Sequence, residues 1–133
     1  MCVRRSVILK FKGKEAKVDA LFDTGSSFTV MSTRRFVELF KCEDWVTLAR
    51  PYYAYLLNGN KIKLDKYVII SIIINEYEIV DLVHLSDDVV PHIRKNGKLV
   101  KLPDIIIGAG TMGKYGIEIS AEKGVIFREL LII

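Results

Sequence analysis

Ala20-Leu21-Phe22-Asp23-Thr24-Gly25-Ser26-Ser27-Phe28-Thr29-Val30-Met31 sets one carboxylate in a tight polar turn between two apolar runs. Apolar residues on both sides of Asp23 predict a strand that enters the turn and another that leaves it, with the carboxyl group at the floor of a cleft. Gly25 lets the backbone fold sharply at that point. Thr24, Ser26 and Ser27 supply hydroxyls that can bond the carboxylate or the amides of the turn, which a partly buried acid requires. Three letters of this kind also occur in ordinary surface turns, so the rest of the chain has to decide between the two readings.

The chain has 133 residues, 50% of them apolar and 27% charged. That length fits one domain, and the excess of Ile and Val favours strands over helices. No stretch approaches the roughly 20 apolar residues that span a bilayer, and no signal-peptide core follows Arg4-Arg5, so a cytoplasmic protein is expected. Cys2 and Cys42 match no zinc spacing and read as free thiols in a reducing compartment. The net charge of +4 is spread over 20 basic and 16 acidic residues without aromatic or Gly-rich interleaving, so neither nucleic acid nor membrane is an expected partner. Asp87-Asp88, His84 and His92 gather no ligand cluster; no metal is expected.

In chain order, 7–11 and 16–22 form a hairpin around Lys12-Gly13, and the second strand delivers Asp23. Residues 28–31 form a short strand. Ser32 or Thr33 then caps a helix reaching Lys41, with Phe36 and Phe40 stacked at i and i+4. Residues 42–50 read as irregular. Residues 52–64 form a hairpin tipped by Asn58-Gly59, whose Lys61 and Lys63 face water while Tyr52, Tyr53 and Tyr55 cover something. Residues 67–74 and 77–85 pair around Asn75-Glu76, and their isoleucines read as buried on both faces. Residues 86–103 are expected to be an ordered surface insertion. Asp104-Ile105-Ile106-Ile107-Gly108 is a buried strand ending in glycine; Gly110 and Gly113 predict a poor helix after it, and a last hairpin spans 115–127.

A strand, Asp23-Thr24-Gly25, a short helix, a glycine-tipped hairpin and then Ile106-Ile107-Gly108, in this order, resemble the retropepsin-type aspartic proteases. The likeness runs over nearly the whole chain, and Ser26-Ser27 after the glycine is similar to the pepsin-like branch. The resemblance implies an all-β fold, a closed barrel of the acid-protease kind with one or two short helices. Because only one Asp-Thr-Gly is present, it also implies a homodimer in which Asp23 faces its symmetry mate, the apolar C-terminus and Met1-Cys2-Val3-Arg4-Arg5 supplying intersubunit strands. Asp23, Thr24 and Gly25 become the catalytic turn: Thr24 bonds across the dimer, Gly25 keeps an amide by the carboxylate, and Ser26 donates to Asp23. Tyr55, Leu56, Leu57, Asn58 and Gly59 become the tip of a flap closing on an extended polypeptide. The implied activity is an endopeptidase acting without metal or cofactor. A catalytically silent, peptide-binding or dimerising module of the same fold is the alternative. Where the retroviral enzymes carry an Arg-Asn/Asp pair after the glycine that helps tie this helix to the active-site region, this chain has Ala109-Gly110, so support of the dimer must differ.

Overall fold

The computed structural model describes residues 1–55 and 59–129. Eleven strands and two short helices follow one another, and six of the strands close a barrel. Around the ring the order is β1 (Cys2–Phe11), β2 (Lys14–Asp23), β9 (Ile105–Gly108), β3 (Val30–Ser32), β6 (Tyr77–Ser86) and β5 (Lys61–Ile74), with β5 returning to β1. Strand β4 (Val46–Tyr55) extends β5 outside the ring.

The barrel closes because each wall strand presents alternate side chains inward. On β5, Ile62, Leu64, Val68, Ile70, Ile72 and Ile74 are all buried. The same alternation corrects the expectation that the isoleucine run is covered on both faces, for Ile69 is 54% exposed and Ile73 lies half-buried. Leu9, Phe22, Ile105 and Ile107 complete the interior with no solvent exposure. Each such side chain contributes roughly 1.5–3 kcal/mol by leaving water.

Helix α1 (Thr33–Phe40) starts where Ser32 Oγ accepts the Arg35 amide at 3.2 Å, and ends on Lys41 in the left-handed region, φ 55°. Its buried edge sets Phe36 and Phe40 against Phe11, with ring centroids 5.2 and 5.7 Å away in edge-on contact. The same helix positions Arg35, whose Nε donates to Asp104 Oδ1 at 2.7 Å. Asp104 is 5% exposed and also accepts the Asp19 amide at 2.8 Å, clamping the entrance of β9 onto β2.

Burial alone would push the Asp104 carboxyl up, but the Asp19 amide, the Arg35 guanidinium and the Lys101 ammonium bring it below the ordinary 3.8. A carboxyl lowered in the folded state contributes stability that is complete above its unfolded value and is lost as pH falls through the folded one. Wild-type urea midpoints should therefore fall as pH is taken below about 4. Asp104→Asn should cost about 2 kcal/mol near neutrality and decline less steeply in acid. An equally steep acid decline in the variant would remove Asp104 from this role.

Several elements depart from expectation. Strand β1 begins at Cys2 rather than Val7, and along one edge residues 2–5 pair with Ala20–Asp23. Residues 46–50, expected to be irregular, belong to β4; a register shift between Thr47 and Tyr52 accommodates Pro51, which has no amide to give a ladder. Ala109–Tyr115 is a helix, α2, despite its glycines, because Gly108 and Gly116 mark its ends and Thr111 and Met112 bury its inner face. Residues 86–103 contain an exposed two-stranded ribbon, β7 (His92–Lys95) with β8 (Lys98–Lys101), turning at Asn96-Gly97. β10 (Ile117–Ser120) and β11 (Gly124–Phe127) form the last hairpin. Among the described residues no helix is long and apolar enough to cross a membrane.

Candidate active site

Asp23 is the last residue of β2 and lies directly opposite Gly108, the last residue of β9, in a parallel pairing. Strand β9 is held on its other edge by β3, with Val30 opposite Ile106. The two strands flanking the Asp23 turn are thus stitched to one central strand, as the paired apolar runs around the acid require. Asp23 is half-buried, and its Oδ1 accepts the Gly25 amide at 2.8 Å. A Cβ on Gly25 would stand 3.2 Å from that oxygen, so glycine keeps the carboxylate uncrowded.

Gly108 is required for a different reason. A Cβ there would lie 2.4 Å from the Phe28 carbonyl oxygen and 2.7 Å from that of Ser26, both backbone atoms that no rotamer change can move. This approach brings the start of α2 onto the active-site loop: the Ala109 amide donates to Ser26 O at 2.6 Å, and the Gly108 amide donates to Thr29 Oγ1 at 3.1 Å. Ile106 and Ile107 divide their work by strand alternation, Ile107 filling the core and Ile106 forming part of a cavity wall.

Ser26 makes contacts other than those expected, and Thr24 has partners within the chain. The Thr24 amide and hydroxyl both donate to Met1 O, each at 3.2 Å, so within one chain this threonine is tied to β1. Ser26 Oγ donates to Phe28 O at 2.8 Å and not to Asp23, which corrects its assignment as a donor to the acid; the Ser26 amide likewise turns back to Asp23 O at 3.1 Å. Ser26 shapes the loop. The loop closes on itself through these bonds, leaving the Gly25 amide to serve the carboxylate.

The sequence reading missed Thr29 and Thr111, which tie the loop from below. Their hydroxyl oxygens lie 2.6 Å apart, both side chains buried. Thr29 accepts from Gly108, while near Thr111 the Asp81 carboxyl accepts the Leu82 amide and Lys114 Nζ, each at 2.8 Å. Burial would raise Asp81, but Lys114, Thr111 and the Leu82 amide lower it below the ordinary carboxylate value. These polar groups brace the loop from the α2 side. Hydroxyls inside apolar runs, Phe28-Thr29-Val30 and Gly110-Thr111-Met112, were the available signal, since buried hydroxyls need partners. His84, also buried, packs edge-on against Phe28 with ring centroids 5.0 Å apart, and burial lowers its pKa from 6.5.

Beside the Asp23 turn lies a cavity of about 290 Å³, lined by Gly25, Ser26, Ser27 and Phe28 below and by Tyr53, Ala54 and Tyr55 above. The tyrosines of β4, expected to cover something, stay at least half exposed; Tyr53 and Tyr55 stand over this opening, while Tyr52 packs beside Phe28 and His84 with ring centroids 6.2 Å away in each case. Asp23 itself lies outside the cavity wall. Tyr55 and Lys61 close the described part of the β4–β5 hairpin. Gly59 follows in the left-handed region, φ 85°, whereas Leu56, Leu57 and Asn58, and the apolar residues 130–133, lie outside the described residues.

Comparison with solved structures decides the architecture. The retroviral protease-like domain of Ddi1 from Leishmania major superimposes with a TM-score of 0.63 at 12% identity, covering 96% of this chain and 90% of that one. The fold is retropepsin-like. EIAV protease, in complex with the inhibitor HBY-793, aligns with a TM-score of 0.51 at 16% identity, over 88% of this chain and 92% of that one. No protein-family model and no curated protein matches the sequence. At these identities the retropepsin-like likeness speaks for the fold alone.

Proposed function

We propose that the protein is a homodimeric aspartic endopeptidase acting on extended polypeptides, with one Asp23 from each copy. The observation that carries this reading is the half-buried Asp23 at the end of β2, held by the Gly25 amide next to a cavity whose wall includes Gly25 but not Asp23. A carboxylate beside the cavity rather than in its wall would be free to meet its mate across a two-fold axis. A module that only bound peptides would have no use for an acid kept uncrowded in this way.

The chemistry follows from two like charges in contact, which cannot both ionise easily and therefore share one proton. The ionised carboxyl takes a proton from a bound water, whose oxygen attacks the scissile carbonyl carbon, while the protonated carboxyl gives its proton to the carbonyl oxygen. The resulting diol collapses as the nitrogen is protonated and the C–N bond breaks. The β4–β5 hairpin would act as a flap, excluding water from above. A peptide lying between flap and floor gains backbone hydrogen bonds and sends alternate side chains into cavities. Dimer formation would exchange the Met1 contact of Thr24 for one across the axis.

Sedimentation velocity over a dilution series, paired with cleavage of a mixed peptide library, tests the shared site. Specific activity should fall with the dimer fraction on dilution. Full activity in a strictly monomeric protein would overturn the proposal.

A further inference from the structure

We infer that a second groove, between the start of β5 and the β7–β8 ribbon, receives an apolar side chain of an extended polypeptide, and that Lys95 with Lys98 selects an acidic side chain two residues farther along. This rests on the peptide-binding reading above and adds a substrate class to it.

The groove encloses about 600 Å³ and adjoins the first cavity, the two sharing Ile62, Val89 and Ile106 as a common wall. A chain lying along the first would therefore continue into the second. Its far side is built by Val90, Ile93 and Leu102, of which Val90 and Ile93 remain 49% and 41% exposed. Apolar side chains left open along a concave surface are a mark of a binding site.

The ribbon's register fixes what lies next to the groove. Ile93 is opposite Val100 and Lys95 is opposite Lys98, and alternation puts these four on one face. Ile93 enters the groove wall, so the lysine pair stands on that side about 7 Å toward the ribbon's tip. Two ammonium groups directly opposite each other destabilise a ribbon. Neither makes an ion pair or hydrogen bond among the described residues, and residues 92–101 hold four basic side chains and no acid. A carboxylate between them relieves that repulsion. An extended peptide advances in the same steps as the strand, which places the matching acid two residues from the apolar one. Apolar walls and the lack of aromatic residues on the ribbon favour a polypeptide over a nucleic acid.

The test uses Asp23→Asn protein, so that binding is read without turnover, and dye-labelled extended peptides with an apolar residue and Glu, Gln or Lys two positions before or after it. Fluorescence anisotropy should show one Glu peptide binding about tenfold more tightly than its Gln counterpart at low salt, with the gap closing at high salt. Lys95→Glu/Lys98→Glu, changes on an exposed ribbon, should invert the order and favour the Lys peptide. Equal affinities, no saturable binding of either Glu peptide, or tighter binding of a single-stranded RNA oligonucleotide would overturn the inference. Cleavage by the unaltered protein is measured separately. Acid-selective binding without cleavage would remove the peptidase reading and leave this one, whereas cleavage with no acid preference would do the reverse.

Discussion

Asp23→Asn is expected to lower peptide hydrolysis by about 10⁴-fold, because the proposed mechanism uses the residue as both general base and general acid. The fold should survive, since the asparagine oxygen can still accept the Gly25 amide that now reaches Asp23 Oδ1 at 2.8 Å. Thermal unfolding should accordingly move little. The more telling measurement is a mixing experiment. If each site needs one carboxyl from each copy, equal amounts of variant and wild-type chain, allowed to exchange, leave about a quarter of the dimers with two acids. Activity per wild-type chain should then drop to about half. Activity that merely adds in proportion to wild-type chain would mean a site complete in one copy, and activity that survives in the pure variant would mean that Asp23 is not the acid.

Gly108→Ala should have the largest effect on stability of any single methyl addition in the site. The new Cβ would meet two carbonyl oxygens at 2.4 and 2.7 Å and the Phe28 carbonyl carbon at 2.8 Å. Overpacking against yielding side chains costs about 1–3 kcal/mol, and backbone does not yield in that way. Relief requires pulling β9 away from residues 26–28, which stretches the Ala109-to-Ser26 and Gly108-to-Thr29 bonds together. A loss of about 3 kcal/mol or more in urea unfolding is expected, with activity falling in parallel because Asp23 is paired with Gly108. Gly113→Ala, where an added Cβ meets nothing within 4 Å, is the matched control and should be neutral or stabilising by up to about 1 kcal/mol, since alanine favours a helix over glycine. A loss at Gly113 as large as that at Gly108 would show that close approach to the loop is not what Gly108→Ala disturbs.

The fold was legible where local pattern and tertiary demand agree. Alternation and glycine turns placed β1, β2, β5, β6 and β9, and Ser32 with the Phe36 and Phe40 pair placed α1. The first half of strand β4, before Tyr52, was hidden because Pro51 and its neighbours form a bulge, and a bulge erases the alternation that betrays a strand. The helix at Ala109–Tyr115 runs against the low propensity of its glycines, and burial of Thr111 and Met112 outweighs that. At the site, Asp23 and Gly108 could be named from sequence, since turn chemistry and close approach both leave a mark on residue type. The partners of Ser26 and the Thr29–Thr111 contact could not. A hydroxyl has several acceptors within reach of one torsion, and only the position of α2, some 80 residues downstream of the loop, decides which is taken.

The parallel pairing of β2 with β9 has a consequence for the order in which this molecule is built. Asp23 is made some 80 residues before the strand that fixes its register, Ile105–Gly108, and before the Thr111 hydroxyl that lies beneath the loop. Bringing such distant segments together is the slow step in folding a chain with so many non-local contacts. Until then the carboxylate sits at an unpaired sheet edge with no floor. The growing chain therefore carries Asp23 without its β9 partner until that strand has been made, and the turn is complete only once β9 and α2 have docked.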